Sequence, residues 1–282
     1  MSELVIDAQM VKTLREKTNA GLMECKRALA DTKGDLEAAV DLLRKKGAAS
    51  AAKKADREAK EGVIAQSIVS GGKTGVLAEV NCETDFVAKN DSFKSFSDAI
   101  AGKLAADPST DLEADRVAAV QKLGENIVIR RHARLDVQGC GLVASYIHTG
   151  GKVGVLVEVG AGKDATTQTE DFKQLVRDLT LQIAAASPVC VSRESVPQEL
   201  ADREREIYRG QVPPGKPANI VEKIVEGKMD KFYSNVCLVD QSFIKNPDLT
   251  ISQLVAEKNK ALSENIAVRR FVRFAVGEEL PA

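Results

Sequence analysis

The chain has 282 residues, with 40 Lys and Arg against 41 Asp and Glu, and a formal net charge of −1 at pH 7. This length favours more than one domain, and the hydrophobic fraction of 44% is enough for packed cores. The balanced charge argues against sequence-independent nucleic-acid binding, which needs a basic surface. No apolar run approaches the about 18 residues of a membrane-spanning helix, and the N-terminal residues lack the pattern of a signal peptide.

Cysteine and histidine offer little for metal or redox chemistry. The five cysteines lie far apart along the chain, and none forms a C-x-x-C pair, so a zinc site or redox motif is not expected. Scattered free thiols suit a reducing cytosol. Because His132 and His148 are the only two histidines, histidine-based metal or triad chemistry has little to work with.

Residues 1–47 predict a minimal bundle of three helices. Apolar residues recur at helical spacing in three short stretches, with glycine-containing breaks between them. Asp35 is a good N-cap for the third helix, and Gly47 is expected to end it. Residues 48–61 carry almost no bulky apolar side chain, so we interpret them as a linker with helical propensity but no face to bury.

The rest of the chain contains an internal repeat. Residues 72–80 (GKTGVLAEV) match residues 151–159 (GKVGVLVEV), so that Gly75 corresponds to Gly154 at a shift of 79 positions. Farther on, residues 124–131 match residues 263–270 at a shift of 139 positions. The second copy therefore carries an insertion of about 60 residues.

Each copy predicts a hairpin of two strands, then a helix, then a final strand. The predicted ranges are 63–69, 75–81, 92–104 and 127–135 in the first copy, and 142–148, 154–159, 170–186 and 266–276 in the second. Thr167 and Glu170 form a capping-box pattern at the start of the second helix. We therefore predict an α+β fold with two related subdomains and mainly antiparallel sheets.

The insertion predicts an antiparallel helical hairpin. Two short apolar stripes flank a proline-rich reversal at residues 213–217. The hairpin either projects from the core or lies flat on the second subdomain. The predicted division is a three-helix bundle (1–47), a linker (48–61), an N-subdomain (62–140), a C-subdomain (141–187 and 236–282) and the hairpin (188–235).

The most informative segment is residues 75–90, where an apolar strand gives way to the loop Thr84-Asp85-Phe86-Val87. Loops carry function disproportionately, and here a carboxylate and a large aromatic stand side by side. Phe86 either folds back onto its own core or is presented to a ligand.

Enzyme signatures are incomplete. Residues 72–74 resemble the end of a phosphate-binding loop, but position 67 is Ser where that loop needs Gly. Residues 160–165 fit G-x-G-x-x-A, but position 181 is Leu where dinucleotide binding wants an acid. A further hypothesis is an enzyme that uses three carboxylates placed by alternation on one strand face, but no base, metal ligand or nucleotide loop accompanies them. These carboxylates are Glu79, Glu83 and Asp85.

Taken together, these motifs resemble the bacterial translation elongation factor Ts family. The likeness covers nearly the whole chain and rests on residues 14–26, 81–89 (NCETDFVAK), 124–131, 145–148 (SYIH) and 221–229 (VEKIVEGKM). It implies that the N-terminal helices form a ubiquitin-associated-type bundle and that the inserted hairpin is a coiled coil. Some family members continue into a further helical module, whose contacts are not expected for a sequence that stops at Ala282.

The resemblance also implies a function: a cytoplasmic guanine-nucleotide exchange factor for elongation factor Tu. Such a factor is not an enzyme, needs no cofactor, and binds no free nucleotide, nucleic acid or membrane. The competing hypothesis is a passive protein-interaction scaffold without exchange activity.

Site residues follow from the same resemblance. By similarity, one loop enters the partner and dislocates its Mg²⁺; its residues are Thr84, Asp85, Phe86 and Val87. His148 is implied to contact the partner near its phosphate-binding loop, although from the residues alone it is either a solvated turn residue or a contact residue. Leu22 and Met23 are implied to press on a helix of the partner's GTPase domain, the alternative being packing inside the N-terminal bundle.

Overall fold

A computed structural model of the chain describes residues 6–18 and 20–279. The predicted bundle, its first break and the predicted C-subdomain include residues 1–5, 19 and 280–282, which lie outside the described residues. Within the described ranges the helices are α1 (Ala8–Thr18), α2 (Leu22–Asp31), α3 (Leu36–Lys54), α4 (Asp85–Lys89), α5 (Asp91–Ala106), α6 (Glu113–Leu123), α7 (Glu170–Ala186), α8 (Gln198–Gly210), α9 (Ala218–Val236) and α10 (Ile251–Leu262). The strands are β1 (Glu61–Val69), β2 (Thr74–Cys82), β3 (Val128–Asp136), β4 (Gly141–Ile147), β5 (Val153–Gly160), β6 (Ser242–Phe243), β7 (Asn246–Thr250) and β8 (Ala267–Ala275).

Two antiparallel three-stranded sheets form the centre of the molecule. The first has the order β1-β2-β3 and the second the order β4-β5-β8. Both sheets have a register shift at the same place in the repeat, after Glu79 in the first copy and after Glu158 in the second. The predicted α+β class is confirmed, and each strand or helix predicted for the two copies lies within two residues of an observed one.

The two sheets pack face to face, and each has a helix on its outer face. The core between the sheets draws on both copies through Ile64, Leu77, Leu135, Val143, Leu156 and Phe274. Helix α5 covers the outer face of the first sheet, and α7 covers that of the second. The layers are therefore helix, sheet, sheet and helix. Alternation along the central strands explains this, since successive side chains point to opposite faces.

The N-terminal helices α1, α2 and α3 share an apolar core that includes Leu14, Cys25 and Leu29. The predicted end of the third helix at Gly47 is wrong, because α3 continues to Lys54. Ala51, in the segment interpreted as having no face to bury, is buried with the core of the first subdomain. Ala51 shares this core with Ala119 of α6, so the end of α3 packs against α6 through a small side chain.

Three corrections concern the elements of the repeat. Helices α6 and α10 precede the final strands and were not predicted, nor was the β6–β7 hairpin. Helix α7 begins at Glu170 as predicted, but its cap is Thr169, whose Oγ1 accepts a hydrogen bond from the Phe172 N–H at 3.3 Å. Thr167 is instead buried in a preceding 3₁₀ turn.

The insertion forms two helices, α8 and α9, with an apolar core of their own that includes Ala201, Val225 and Met229. The base of this hairpin is fixed by Arg193, which pairs with Asp240 at 2.7 Å. Helices α8 and α9 mainly contact each other, and α9 also contacts the turn at residues 238–240, which fits a hairpin that projects rather than one that lies flat. In the described ranges no helix is both long and apolar enough to cross a membrane.

Cysteines that are distant in sequence meet at the hairpin base. The Sγ atoms of Cys190 and Cys237 lie 3.7 Å apart as free thiols. Burial raises the pKa of Cys237 to about 12 and also raises that of Cys190. Both thiols are therefore protonated and poorly nucleophilic at neutral pH.

Candidate functional site

Strand β2 leads directly into the short helix α4, which carries the predicted site, so the prediction of a loop at residues 84–87 is wrong from Asp85 onward. Thr84 is its N-cap, since Thr84 Oγ1 accepts a hydrogen bond from the Val87 N–H at 3.3 Å. Val87 and Ala88 pack onto the core of the first subdomain. Phe86 is left on the other side of the helix and is 81% exposed. The alternative in which Phe86 folds back onto its own core is therefore wrong.

A carboxylate from far along the chain fixes the start of α4. Glu125 Oε2 accepts hydrogen bonds from the N–H groups of Glu83 (3.0 Å) and Thr84 (3.1 Å). Glu125 Oε1 accepts a third from the Thr84 hydroxyl at 2.6 Å. The cap residue is thus held at its backbone and at its side chain by a single group.

A second network connects α4 to the end of α3. Glu83 Oε1 accepts a hydrogen bond from the Asn126 N–H at 2.6 Å and lies 3.5 Å from Arg57 Nη1. The buried Asn126 side chain donates to the Arg57 carbonyl at 2.8 Å and to the Ala55 carbonyl at 3.3 Å. The N-terminal bundle is therefore anchored within one residue of the α4 cap.

Asp85 opens the first turn of α4 beside Phe86. Its carboxylate accepts a hydrogen bond from Lys89 Nζ at 2.6 Å, and this bond lowers the pKa of Asp85. Asp85 is thus ionised at neutral pH. Since exposed ion pairs of this kind contribute little net free energy, Asp85 can exchange Lys89 for another partner at small cost.

The three carboxylates of the enzyme hypothesis do not share one strand face. Glu79 is fully buried in β2, where Arg130 and Arg131 bind it at 3.1 and 2.7 Å. Strand β2 ends at Cys82, so Glu83 and Asp85 lie beyond it. Alternation therefore does not apply to the set. The described residues contain no group of three or more His, Cys, Asp or Glu suited to a metal ion.

His148 begins the turn between β4 and β5 and is exposed. Its Nδ1 lies 3.0 Å from the Tyr146 hydroxyl oxygen. The same turn docks on β1, because the Gly151 carbonyl accepts a hydrogen bond from the Ile64 N–H at 2.7 Å.

The contacts of Lys152, which follows this turn, show where the turn lies relative to α4. Its ammonium group donates to the Gly62 carbonyl at 3.1 Å and pairs with Glu61. Glu61 stands opposite Cys82 in the β1–β2 ladder, where β2 ends and α4 follows. His148 and α4 therefore lie at the same end of the paired sheets.

Leu22 and Met23 occupy the first turn of α2, and each is 57% exposed. The core of the bundle instead uses residues farther along the helix, such as Cys25 and Leu29. The alternative that Leu22 and Met23 pack inside the bundle is therefore wrong. They form a separate apolar patch, on the bundle rather than on the paired sheets.

The repeat provides an internal comparison for Phe86. At the shift of 79 positions, Phe93 corresponds to Phe172, and both are fully buried. Phe86 corresponds to Ala165, which is exposed in the 3₁₀ turn of the second copy. The scaffold therefore does not require an aromatic side chain at this position.

Sequence reasoning missed Glu125 and Asn126. A signal for them was present, because the Glu-Asn-Ile of residues 125–127 recurs at residues 264–266. In the second copy, Glu264 likewise accepts a hydrogen bond from a loop N–H, that of Gly162, at 3.1 Å.

The site consists of exposed apolar and charged side chains on a fixed scaffold, a combination typical of a protein-binding surface. Comparisons with known proteins name the class. The family model described as Elongation factor TS matches residues 83–278. The elongation factor Ts of Clostridium novyi (strain NT) is 44% identical over 293 residues, covering 98% of this chain and 94% of the relative. That of Nitratidesulfovibrio vulgaris (strain DP4) is 43% identical over 286 residues, covering 99% and 98%.

A further relative, the elongation factor Ts of Clostridium acetobutylicum, is 45% identical over 291 residues, covering 97% of this chain and 93% of the relative. These matches place the chain among the translation elongation factors. It belongs to the elongation factor Ts family, and the resemblance drawn from the sequence is confirmed.

Proposed function

We propose that this protein is a guanine-nucleotide exchange factor that binds elongation factor Tu and promotes GDP release during translation elongation. Family membership supports the role, and the 81% exposure of Phe86 on α4 carries it. Burying a phenylalanine side chain in a partner contributes about 1.5–3 kcal/mol. That is enough to hold a displaced helix of the partner in place.

The mechanism acts on the partner's metal ion. GDP on a GTPase is held partly by Mg²⁺, which is coordinated by water and a few protein oxygens. Phe86 fills an apolar pocket near this ion, and Asp85 brings a negative charge that disturbs the water and side-chain network around it. Thr84 and Val87 hold α4 in place, Thr84 through the cap and Val87 through its contact with the core.

The remaining predicted residues extend the surface. His148, at the same end of the paired sheets as α4, contacts the partner near its phosphate-binding loop. Leu22 and Met23 press on a helix of its GTPase domain. We further propose that α1–α3 are a ubiquitin-associated-type bundle, that α8 and α9 form a coiled coil, and that the domain division predicted from sequence holds apart from the helical end of the linker.

Exchange by this route needs no covalent chemistry. The protein uses no cofactor of its own, binds no free nucleotide and works in the cytoplasm. The factor and the nucleotide bind antagonistically, and such coupling is reciprocal. GDP must therefore lower the affinity of this protein for elongation factor Tu by the same factor by which this protein lowers the affinity for GDP.

Stopped-flow release of fluorescent GDP from elongation factor Tu tests the proposal. The wild-type protein should accelerate release, and the double variant Asp85→Ala/Phe86→Ala should lose most of the acceleration. A passive scaffold would bind elongation factor Tu but leave the release rate unchanged. No acceleration by the wild-type protein would reject the exchange function.

A further inference from the structure

We infer that Glu125 is a positioning residue for exchange, which holds α4 in the orientation that presents Asp85 and Phe86 to the partner. The inference rests on the proposed exchange function. Glu125 is distant in sequence from α4. Both of its carboxylate oxygens accept hydrogen bonds from residues 83 and 84, immediately before α4.

The contacts of Glu125 form a continuous connection to the helix. Its Oε1 accepts a hydrogen bond from the Thr84 hydroxyl at 2.6 Å, so a lone pair of that hydroxyl is directed at the Val87 N–H, 3.3 Å away. Its Oε2 takes the two backbone N–H groups that precede α4. Hydrogen bonds to an ionised carboxylate are stronger than those between neutral groups. One side chain therefore sets the backbone path into α4 and orients its cap.

Helix α4 depends on such external support because it has five residues. Helices this short are not stable in isolation, since nucleation costs more than a few hydrogen bonds return. Val87 and Ala88 attach one side of α4 to the core, and Asn90, the C-cap of α4, joins that end of the helix to α5. Asp85 and Phe86 stand at the other end, directly after the residues that Glu125 binds, so Glu125 completes the attachment that sets the angle at which Phe86 leaves the surface.

The second copy contains the same device without the exposed aromatic. Glu264, which corresponds to Glu125, accepts hydrogen bonds from the Gly162 N–H at 3.1 Å and the Thr166 hydroxyl at 2.5 Å. The loop it holds carries Ala165 where the first copy carries Phe86. A carboxylate at this point is thus a property of the repeated scaffold, and only Glu125 supports an exposed Asp-Phe pair. Glu264 is accordingly a matched control.

The test compares Glu125→Gln with Glu264→Gln in stopped-flow release of fluorescent GDP from elongation factor Tu, over a range of factor concentrations. Glu125→Gln should lower the maximal release rate about tenfold, the effect of losing charged hydrogen bonds. The half-saturating concentration should change less than about threefold, because the patches at Leu22, Met23 and His148 remain and supply binding that is common to all states. Glu264→Gln should stay within about twofold of wild type in both quantities, for it holds no partner-facing aromatic.

Two further measurements separate positioning from general destabilisation. Thr84→Val removes the hydroxyl that connects Glu125 to the helix and should reproduce the loss, whereas Thr84→Ser keeps the hydroxyl and should restore the rate. Amide hydrogen exchange at residues 83 and 84 should be faster in Glu125→Gln than in wild type, and unchanged in Glu264→Gln.

The inference is overturned if Glu125→Gln exchanges GDP like wild type, or if both glutamine variants lose the same fraction of the rate. The first result leaves the exchange function standing, because the wild-type arm still accelerates release. A wild-type protein that does not accelerate release rejects the exchange function itself and this inference with it. The two failures are therefore distinguishable in one experiment.

Discussion

At the scale of single residues, Phe86 and Phe93 differ in burial, and this difference predicts different effects of their replacement on stability. Phe93 is fully buried under the first sheet, whereas Phe86, seven positions earlier, is 81% exposed. Phe86→Ala should change the free energy of unfolding by less than about 0.5 kcal/mol, as surface substitutions do. Phe93→Ala should cost about 3–5 kcal/mol, because it leaves a cavity in the core.

Urea unfolding of the two variants measures this difference. An equal loss of stability in both would make Phe86 a structural residue and remove it from the partner-binding surface.

The sequence singled out Asp85 and Phe86 but left open which way Phe86 points. That direction depends on how α4 is rotated on the core. Rotation is fixed by the docking of Val87 and Ala88 and by the carboxylate of Glu125, which lies 41 positions after Thr84. Local patterns carry no information about a contact of that range, so the orientation became visible only in the folded chain.

At the scale of secondary-structure elements, the glycines of the central strands control how closely the two sheets approach. A Cβ atom at Gly154 in β5 would lie 2.4 Å from Ile64 Cγ2 on the other sheet. Gly154→Ala should therefore destabilise the protein by about 1–3 kcal/mol through overpacking.

Gly102 in α5 is the matched control, because a Cβ atom there meets nothing within 4 Å. Gly102→Ala should stabilise by up to about 1 kcal/mol through helix propensity. Thermal unfolding of both variants gives the comparison. If Gly154→Ala were neutral, the sheets would not be in close contact at this point.

The elements predicted from sequence were those with strong periodicity. In the strands and helices predicted for the two copies, apolar residues recur with a period of 2 or 3.6, and each of these elements lies within two residues of an observed one. Helix α10 was missed although Thr250 and Gln253 form a capping box at its start. The predicted end of α3 at Gly47 is wrong because this glycine serves a contact between helices. Its lack of a side chain leaves room for Gln121 of α6, whose Nε2 donates a hydrogen bond to the Leu43 carbonyl at 3.3 Å.

At the scale of the whole molecule, two buried carboxylates connect the copies. Glu79 accepts hydrogen bonds from Arg130 and Arg131 of its own sheet, and one from the Gly277 N–H after β8 at 2.9 Å. Glu158 likewise binds two arginines of its own sheet and the Gln138 N–H after β3 at 2.8 Å. Each glutamate therefore binds the backbone segment that follows the last strand of the other copy's sheet.

These contacts predict a loss of stability in acid. Burial alone would raise the pKa of Glu79, but the hydrogen bonds from Gly277, Arg130 and Arg131 outweigh it and leave the pKa lowered. The balance for Glu158 is the same, and its pKa is also lowered. A carboxyl group whose pKa is lower in the folded state contributes stability above its unfolded pKa, about 4.3, and loses it as the pH falls through the folded value.

The free energy of unfolding, measured by urea titration from pH 7 to pH 3, should therefore fall below about pH 4.3. Glu79→Gln should be less stable than wild type at pH 7 by about 3–5 kcal/mol, because it leaves two arginines without their buried partner. It should also show a shallower fall in acid, while Glu206→Gln on the exposed face of α8 follows wild type. A slope in Glu79→Gln as steep as that of wild type would assign the acid sensitivity to other groups.

The sequence revealed that the chain contains two copies, but not how they meet. Reciprocal contacts such as Glu79 with Gly277 and Glu158 with Gln138 depend on the packing of one sheet on the other. The same packing brings the turn of His148 to the end where α4 begins. The proximity of His148 to α4 therefore depends on how the two sheets pack together, and the sequence of either copy alone does not reveal it.

Whether Phe86 enters elongation factor Tu beside its Mg²⁺ site is tested most directly by site-specific photo-crosslinking. A benzophenone-bearing phenylalanine derivative replaces Phe86 in one sample and Ala165, its counterpart in the second copy, in the other. The crosslink from position 86 should fall in the GTPase domain next to the Mg²⁺ ligands and weaken when GDP is added, and position 165 should give none there. A crosslink to that region from position 165 but not from position 86 would contradict the proposed role of α4.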